Sequence, residues 1–203
     1  LLEVLGPPRV ATLKELGIEK LRNYGASIED HPVNVGRLRG VIERVTELSR
    51  WSDRKKDGRA LGLAAHRSFL AYTAVVASVV RDANGKLSVD EAWIVADAGT
   101  IINPDRVRAQ MEGAVVFGIS LALYGGITMK GGEVQQSNFR DVRLARIGDV
   151  PRKIHVEIVP SDERPAGVGE PGVPPVAPAI ANAIFALTGT RVRELPLART
   201  LKV

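Results

Sequence analysis

The stretch Gly167-Val168-Gly169-Glu170-Pro171-Gly172, followed by an apolar run from Pro174 to Leu187, decides how this chain is read. By spacing alone, Gly167, Gly169 and Gly172 satisfy the G-x-G-x-x-G pattern of dinucleotide-binding folds, with a strand-like stretch Ile154 to Val159 before them and Glu194 beyond. By chemistry, the same loop lets backbone approach a ligand closely while presenting Glu170 as a base. Context argues against the first reading. Residues Ser161 to Ala166 separate strand from glycines, and Pro171, Pro174, Pro175 and Pro178 crowd the turn. Only nine residues follow Glu194, too few to continue a doubly wound sheet. Two plainer readings stand beside the catalytic one. In one the glycines merely turn the chain before a buried helix, and in the other the Glu170 carboxylate caps that helix in a non-catalytic scaffold or interaction domain.

Working outward from the loop, the run from Pro174 to Leu187 is apolar almost all round and stops before Gly189, a C-terminal cap, so it predicts a helix buried on most sides. Upstream, Lys153 to Val159 predicts a strand, and Ile127 to Met129 with Val134 to Gln136 flank a Lys130-Gly131-Gly132-Glu133 hairpin turn. Asn103-Pro104 supplies an N-cap and a proline at the first helical position. The helix it opens runs to about Tyr124, with Val107, Met111, Ala114, Val115, Gly118 and Leu121 along one face and Phe117 also assigned to the core. Leu61 to Val80 predicts one long buried strand, which returns through an Asn84-Gly85 two-residue turn as Leu87 to Ala96. Lys55 to Arg59 reads as a loop, and Val35, Leu38, Val41, Ile42, Val45 and Leu48 recur with helical period. The expected class is α+β, with antiparallel or mixed sheet hairpins packed against two buried helices.

Composition excludes several function classes. With 45% hydrophobic and 25% charged residues the chain has the make-up of an ordinary globular domain. The formal charge of +5 comes from basic residues dispersed among acidic ones, a pattern that disfavours nucleic acid as a partner. With no cysteine in the chain, no protein-ligated iron–sulfur cluster or disulfide framework can reside here. His31, His66 and His155 lack zinc-site spacing, so no side chain is assigned as a metal ligand. No apolar run reaches the ~20 residues of a membrane span. The first residues, Leu1 to Pro8, look like neither a signal peptide nor an initiator sequence, so the chain is expected to be a piece of something longer.

Three segments carry a resemblance: Asp97-Ala98-Gly99 with Ile102-Asn103-Pro104, then Gln110-Met111-Glu112-Gly113-Ala114 with Gly118, then Gly167-Val168-Gly169-Glu170-Pro171 with its apolar helix. In letters, order and spacing they resemble the C-terminal portion of the molybdopterin-binding large subunit of the molybdenum hydroxylases, the xanthine dehydrogenase and aldehyde oxidoreductase family. Within it the chain is most similar to the isoquinoline 1-oxidoreductase beta-subunit branch. The likeness extends from roughly Arg37 to the end, so residues 1–58 are read as a charged, helical connecting segment and 59–203 as the C-terminal molybdopterin-binding domain.

The resemblance implies oxidative hydroxylation of an aldehyde, or of a carbon beside a ring nitrogen, with water as the oxygen source. Glu170 matches the family's glutamate, which takes the proton from a molybdenum-bound hydroxyl whose acidity the metal has already raised. Gln110, Val168 and Gly169 match positions beside the cofactor, and Gln110 offers an amide able both to donate and to accept. Glu112 is assigned an ion pair or a structural hydrogen bond, while Gly113 and Gly118 are assigned to close packing. The implied cofactor is molybdopterin with molybdenum, in the cytosine dinucleotide form common among bacterial members. The implied partners are the remainder of the large subunit, a small [2Fe–2S] subunit and a small aldehyde or N-heterocycle. The fragment alone is expected to be inactive, to hold no cofactor and to self-associate. By resemblance its compartment is the bacterial periplasm or cytoplasm.

Overall fold

Alternating apolar residues on three long strands build a sheet that is covered on both faces. A computed structural model describes residues 1–53, 55–56 and 58–203. Its elements in chain order are α1 (Leu2–Leu5), α2 (Val35–Leu48), β1 (Lys55–Lys56), β2 (Arg59–Ser68), β3 (Ala71–Arg81), β4 (Leu87–Asp97), α3 (Pro104–Tyr124), β5 (Met129–Lys130), β6 (Glu133–Val134), β7 (Lys153–Ile158) and α4 (Val176–Thr188). The main sheet has the order β1-β2-β3-β4-β7. Its first four strands pair antiparallel, whereas β7 runs parallel to β4, which makes the sheet mixed. Helix α2 buries Val41, Ile42 and Val45 against Leu61, Tyr72, Ala74, Val76, Trp93 and Val95. On the opposite face, α3 and α4 meet Val75, Ala77, Val79, Ile94 and Ala96. The period-two split of β3 between these clusters is what a strand buried on both sides requires.

The helices form where expected. The Asn103 side chain accepts the Arg106 N–H at 3.1 Å, with Pro104 in the first turn. Gly189 ends α4 at φ 76°. Gly131 and Gly132 turn the β5–β6 hairpin at φ 59° and 85°. Along α3 the core takes Val107, Met111, Ala114, Val115 and Gly118 as predicted, but continues through Ile119, Ala122 and Leu123 while Leu121 and Phe117 stay exposed. The straight 3.6-residue period carries the buried stripe past Leu121. Helix α4 is buried along one side only, with Pro178, Asn182 and Phe185 exposed.

Three connections differ from expectation. The single long strand from Leu61 to Val80 is two strands, β2 and β3, joined by a two-residue hairpin at Phe69-Leu70 with Ser68 opposite Ala71. Both turn residues have positive φ, 50° and 69°, which costs an L-residue with a bulky side chain roughly 1–2 kcal/mol each. Neither residue carries turn chemistry, so the sequence hides the bend. The next connection spans residues 82–86, with Gly85 alone at positive φ and the Asp82 carboxylate accepting the Asn84 and Lys86 N–H groups. The expected loop at 55–59 is a strand, β1, and the start of β2, where described; Asp57 lies outside the described residues.

Close approach of helix to sheet depends on Gly62 in β2. A Cβ there would lie 2.1 Å from both Ala179 O and Ala183 N, backbone atoms of α4 that cannot move aside singly. Gly62→Ala is expected to destabilise the fold by about 3 kcal/mol, the upper range for overpacking, read as a lower denaturant midpoint. An unchanged midpoint would show that α4 can lift off the strand freely.

Candidate functional site

The glycine loop is held at both ends and free in the middle. At its start, the Ala166 N–H donates to Ala98 O at 2.8 Å and the Gly167 N–H to Phe69 O at 2.8 Å. Gly167 permits this because a Cβ there would sit 2.7 Å from the Phe69 Cβ. At its end, the buried Thr73 hydroxyl donates to Pro171 O at 2.7 Å. Gly172 then enters the core, where a Cβ would come within 2.9 Å of Ala114 and Ile94 side-chain carbons. Between these anchors Gly169 and Glu170 are exposed and Val168 is half-buried against the core.

The segment Asp97-Ala98-Gly99 is the base on which this loop stands. Gly99 has φ 72°, and a Cβ on it would lie 2.1 Å from Arg164 O, so glycine is required for residues 163–164 to pass. The Thr100 N–H and hydroxyl both donate to Glu163 O, at 2.9 and 3.0 Å. Asp97, 4% exposed, accepts the Arg37 guanidinium through two bonds of 2.8 and 2.6 Å and the Gly99 N–H at 3.2 Å. Burial pulls the Arg37 pKa down, but the hydrogen bonds and charge of Asp97 outweigh it and hold the guanidinium above its ordinary value. Arg37 also lies over the Tyr72 ring at 4.9 Å.

Glu170 and Gln110 share a cleft of about 460 Å³, bordered also by Ser68, Phe69, Phe117 and Gly169. The Gln110 amide donates to Gly169 O at 3.4 Å, so the helix and the loop meet at the cleft wall. Of the four site residues expected from sequence, three line this cleft, and Val168 adjoins it through the backbone. The Glu170 carboxylate forms no hydrogen bond or ion pair with any described residue. It does not cap α4, whose N-cap is Pro175 without a side-chain hydrogen bond. Gly113 is not a packing glycine, since a Cβ there meets nothing within 4 Å, and it borders the cleft instead. Gly118 does pack, with a Cβ position 2.6 Å from the Val176 Cβ. Glu112 is exposed and has no partner among the described residues, because its helical position points it to solvent. Ser68, Phe69 and Phe117 also border the cleft, and the sequence does not mark them because each lies in an apolar stretch that reads as core.

The loop has the character of a ligand cradle. The Val168, Gly169 and Glu170 N–H groups donate to no described residue. The nearest atom to a Cβ at Gly169 would be Gln110 Nε2 at 3.8 Å, so this glycine leaves space, whereas Gly167 and Gly172 permit contact. Free consecutive amides with an open glycine suit an electron-rich, anionic group. Among the described residues, no cluster of His, Cys, Asp and Glu could hold a metal ion by itself. His155 Nε2 instead lies 2.6 Å from the Glu91 carboxylate, with its ring stacked on Trp93, and burial lowers the His66 pKa. No helix among the described residues is long and apolar enough to cross a membrane.

Residues 41–151 match the family model described as the molybdopterin cofactor-binding domain. The chain is 39% identical over 165 residues to the isoquinoline 1-oxidoreductase subunit beta of Brevundimonas diminuta, a match covering 79% of this chain and 21% of that protein. It is 35% identical over 190 residues to a Gluconacetobacter polyoxogenes protein named membrane-bound aldehyde dehydrogenase (pyrroloquinoline-quinone), covering 89% of this chain and 24% of that one. Of the solved structures, the aldehyde oxidoreductase of Desulfovibrio gigas superposes with a TM-score of 0.53 at 26% identity, over 66% of this chain and 16% of that chain. The chain thus spans about a fifth to a quarter of the length of these two curated relatives. The family model covers more than half of the chain and the first relative matches over most of it, so the chain belongs to the molybdopterin cofactor-binding domain family, as part of a molybdenum hydroxylase large subunit.

Proposed function

We propose that this chain supplies one wall of the active site of a molybdenum-dependent hydroxylase, which oxidises an aldehyde or N-heteroaromatic compound with water as the oxygen source. The observation that carries the reading is the Glu170 carboxylate, unpaired among the described residues, standing in the cleft on a loop anchored at both ends and not capping α4. When bound, the cofactor supplies a metal centre that makes a coordinated hydroxyl acidic and accepts the substrate's electrons. Glu170 takes the proton, an assignment for which a carboxylate is a sufficient base once the metal has lowered the donor's pKa. The Val168 and Gly169 amides and the Gln110 side chain would hold the cofactor edge by hydrogen bonds. In this reading residues 59–203 carry the cofactor-binding site, while 1–58, whose α2 packs on the sheet, lead to the rest of the subunit. A small [2Fe–2S] partner subunit would take up the electrons, since this chain has no cysteine to hold such a cluster itself.

The cofactor is read as the cytosine dinucleotide form of molybdopterin. The quinone in the second relative's name is the contrasting possibility, and metal analysis of the complete subunit separates the two. Molybdenum at one per subunit supports the reading, and a metal-free active enzyme overturns it. The isolated chain, carrying one wall of the cleft, is expected to be inactive and to retain no molybdenum. Val116, Phe117, Leu121, Ile127 and Phe139 are exposed, so it is also expected to associate with itself as concentration rises. Elemental analysis and sedimentation on one preparation check both outcomes. For the base itself, the test is Glu170→Gln in the complete subunit, read as rate per bound molybdenum.

A further inference from the structure

The cleft beside Glu170 holds a hydroxyl that the fold does not use. Ser68 is 6% exposed, and its Oγ is buried with no hydrogen-bond partner among the described residues. Burying a hydroxyl without a partner is costly, and at the last position of β2 an alanine would fill the same backbone without that cost. Yet Ser68 borders the same cleft as Gln110 and Glu170. A χ1 rotation between staggered rotamers is the movement that turns such a hydroxyl toward a ligand.

The next residue points the same way by an independent route. Phe69 and Leu70 make a two-residue turn at φ 50° and 69°, a conformation that Asn-Gly adopts without strain. Backbone strain of this kind persists where the surroundings over-determine it, and it gathers at ligand sites. Here the Phe69 carbonyl anchors the Gly167 N–H at 2.8 Å, while its ring borders the cleft. Tyr24 stacks on that ring at 4.9 Å between centroids and 26° between planes, and is itself strained at φ 56°. An aromatic ring on a strained turn is thus backed from outside and presented at the cleft.

We propose that the Ser68–Phe69 tip of the β2–β3 hairpin is the substrate-orienting wall of this site, selecting a flat aromatic ring that carries a hydrogen-bond acceptor. Phe69 packs against the flat ring, and Ser68 Oγ donates to the acceptor, a ring nitrogen or a carbonyl oxygen. The assignment rests on the hydroxylase reading of the cleft, but its test requires binding alone and no turnover.

The probes are benzamide and cyclohexanecarboxamide, two neutral amides with the same acceptor carbonyl, one ring flat and the other puckered. Each is titrated calorimetrically into the complete subunit, loaded with cofactor and joined to its iron–sulfur partner. The wild type is expected to bind benzamide roughly fivefold or more tightly than the puckered amide, the range of an aromatic contact. Phe69→Ala abolishes that preference. Phe69→Leu, which keeps apolar bulk on the turn, abolishes it as well and serves if the alanine variant does not fold. Ser68→Ala weakens both amides roughly threefold to tenfold, as for one lost hydrogen bond, while the thermal midpoint of the ligand-free protein stays level or rises. A merely structural serine would give the opposite pattern, with a lower midpoint and unchanged affinity. Equal affinity of the wild type for the two amides, no measurable benzamide binding, or affinities unmoved by Ser68→Ala each overturn the proposal. Glu170→Gln is expected to bind benzamide normally. Near-normal turnover in that variant with the amide preference intact would sink the base assignment and leave this wall standing.

Discussion

Asp97→Ala is expected to destabilise the protein by about 3–5 kcal/mol, the cost of leaving a buried charge without its partner. Arg37 and Asp97 are 12% and 5% exposed at the side chain, so solvent cannot replace the lost carboxylate. With typical domain stabilities of about 5–15 kcal/mol, a loss of this size removes a large share of the whole. It also reaches the site, because Asp97 holds the Gly99 N–H and Gly99 is where residues 163–164 of the glycine loop's approach are seated. Arg37→Ala alone is expected to be damaging for the reciprocal reason. Replacing both by apolar residues of similar volume should recover much of the loss, since the pair's own desolvation is then avoided. Denaturant midpoints of the two single variants and the double variant check this, and a double variant as unstable as the sum of the singles contradicts it.

The second large effect concerns chemistry. Glu170→Gln keeps the size and much of the hydrogen-bonding capacity of the side chain while removing its ability to take a proton. As a general base, its loss should lower the rate per bound molybdenum by about 10²–10⁴ with cofactor content near normal. Stability should hardly change, because the carboxylate has no partner among the described residues and does not cap α4. A helix cap would behave in reverse, losing roughly 0.5–2 kcal/mol of stability with little change in rate.

What the sequence disclosed depended on whether a residue's role was local. Asn103-Pro104, Gly131-Gly132 and Gly189 act within their own turn of chain, and the structure puts a helix start, a hairpin and a helix stop at those positions. The turn at Phe69-Leu70 is not legible because its own side chains read as strand, and the groups that meet it, the Gly167 N–H and the Tyr24 ring, are distant in sequence. Arg37 and Asp97 are 60 residues apart, and nothing in either neighbourhood announces the pair. Gln110 and Gly169 are 59 residues apart, and only the likeness to a family of known chemistry links them in the sequence. Ser68 and Phe117 give no signal for a simpler reason. A serine ending a strand and a phenylalanine on an apolar helix are ordinary until a cleft is seen beside them.

The most direct measurement is the rate of cofactor reduction by substrate in a single turnover, with molybdenum content determined on the same preparations of wild-type and Glu170→Gln complete subunit. With Glu170 as the base, molybdenum content is expected to be equal and the reduction rate lower by about 10²–10⁴ in the variant. Equal molybdenum with a near-normal rate would contradict the assignment of Glu170 as the base.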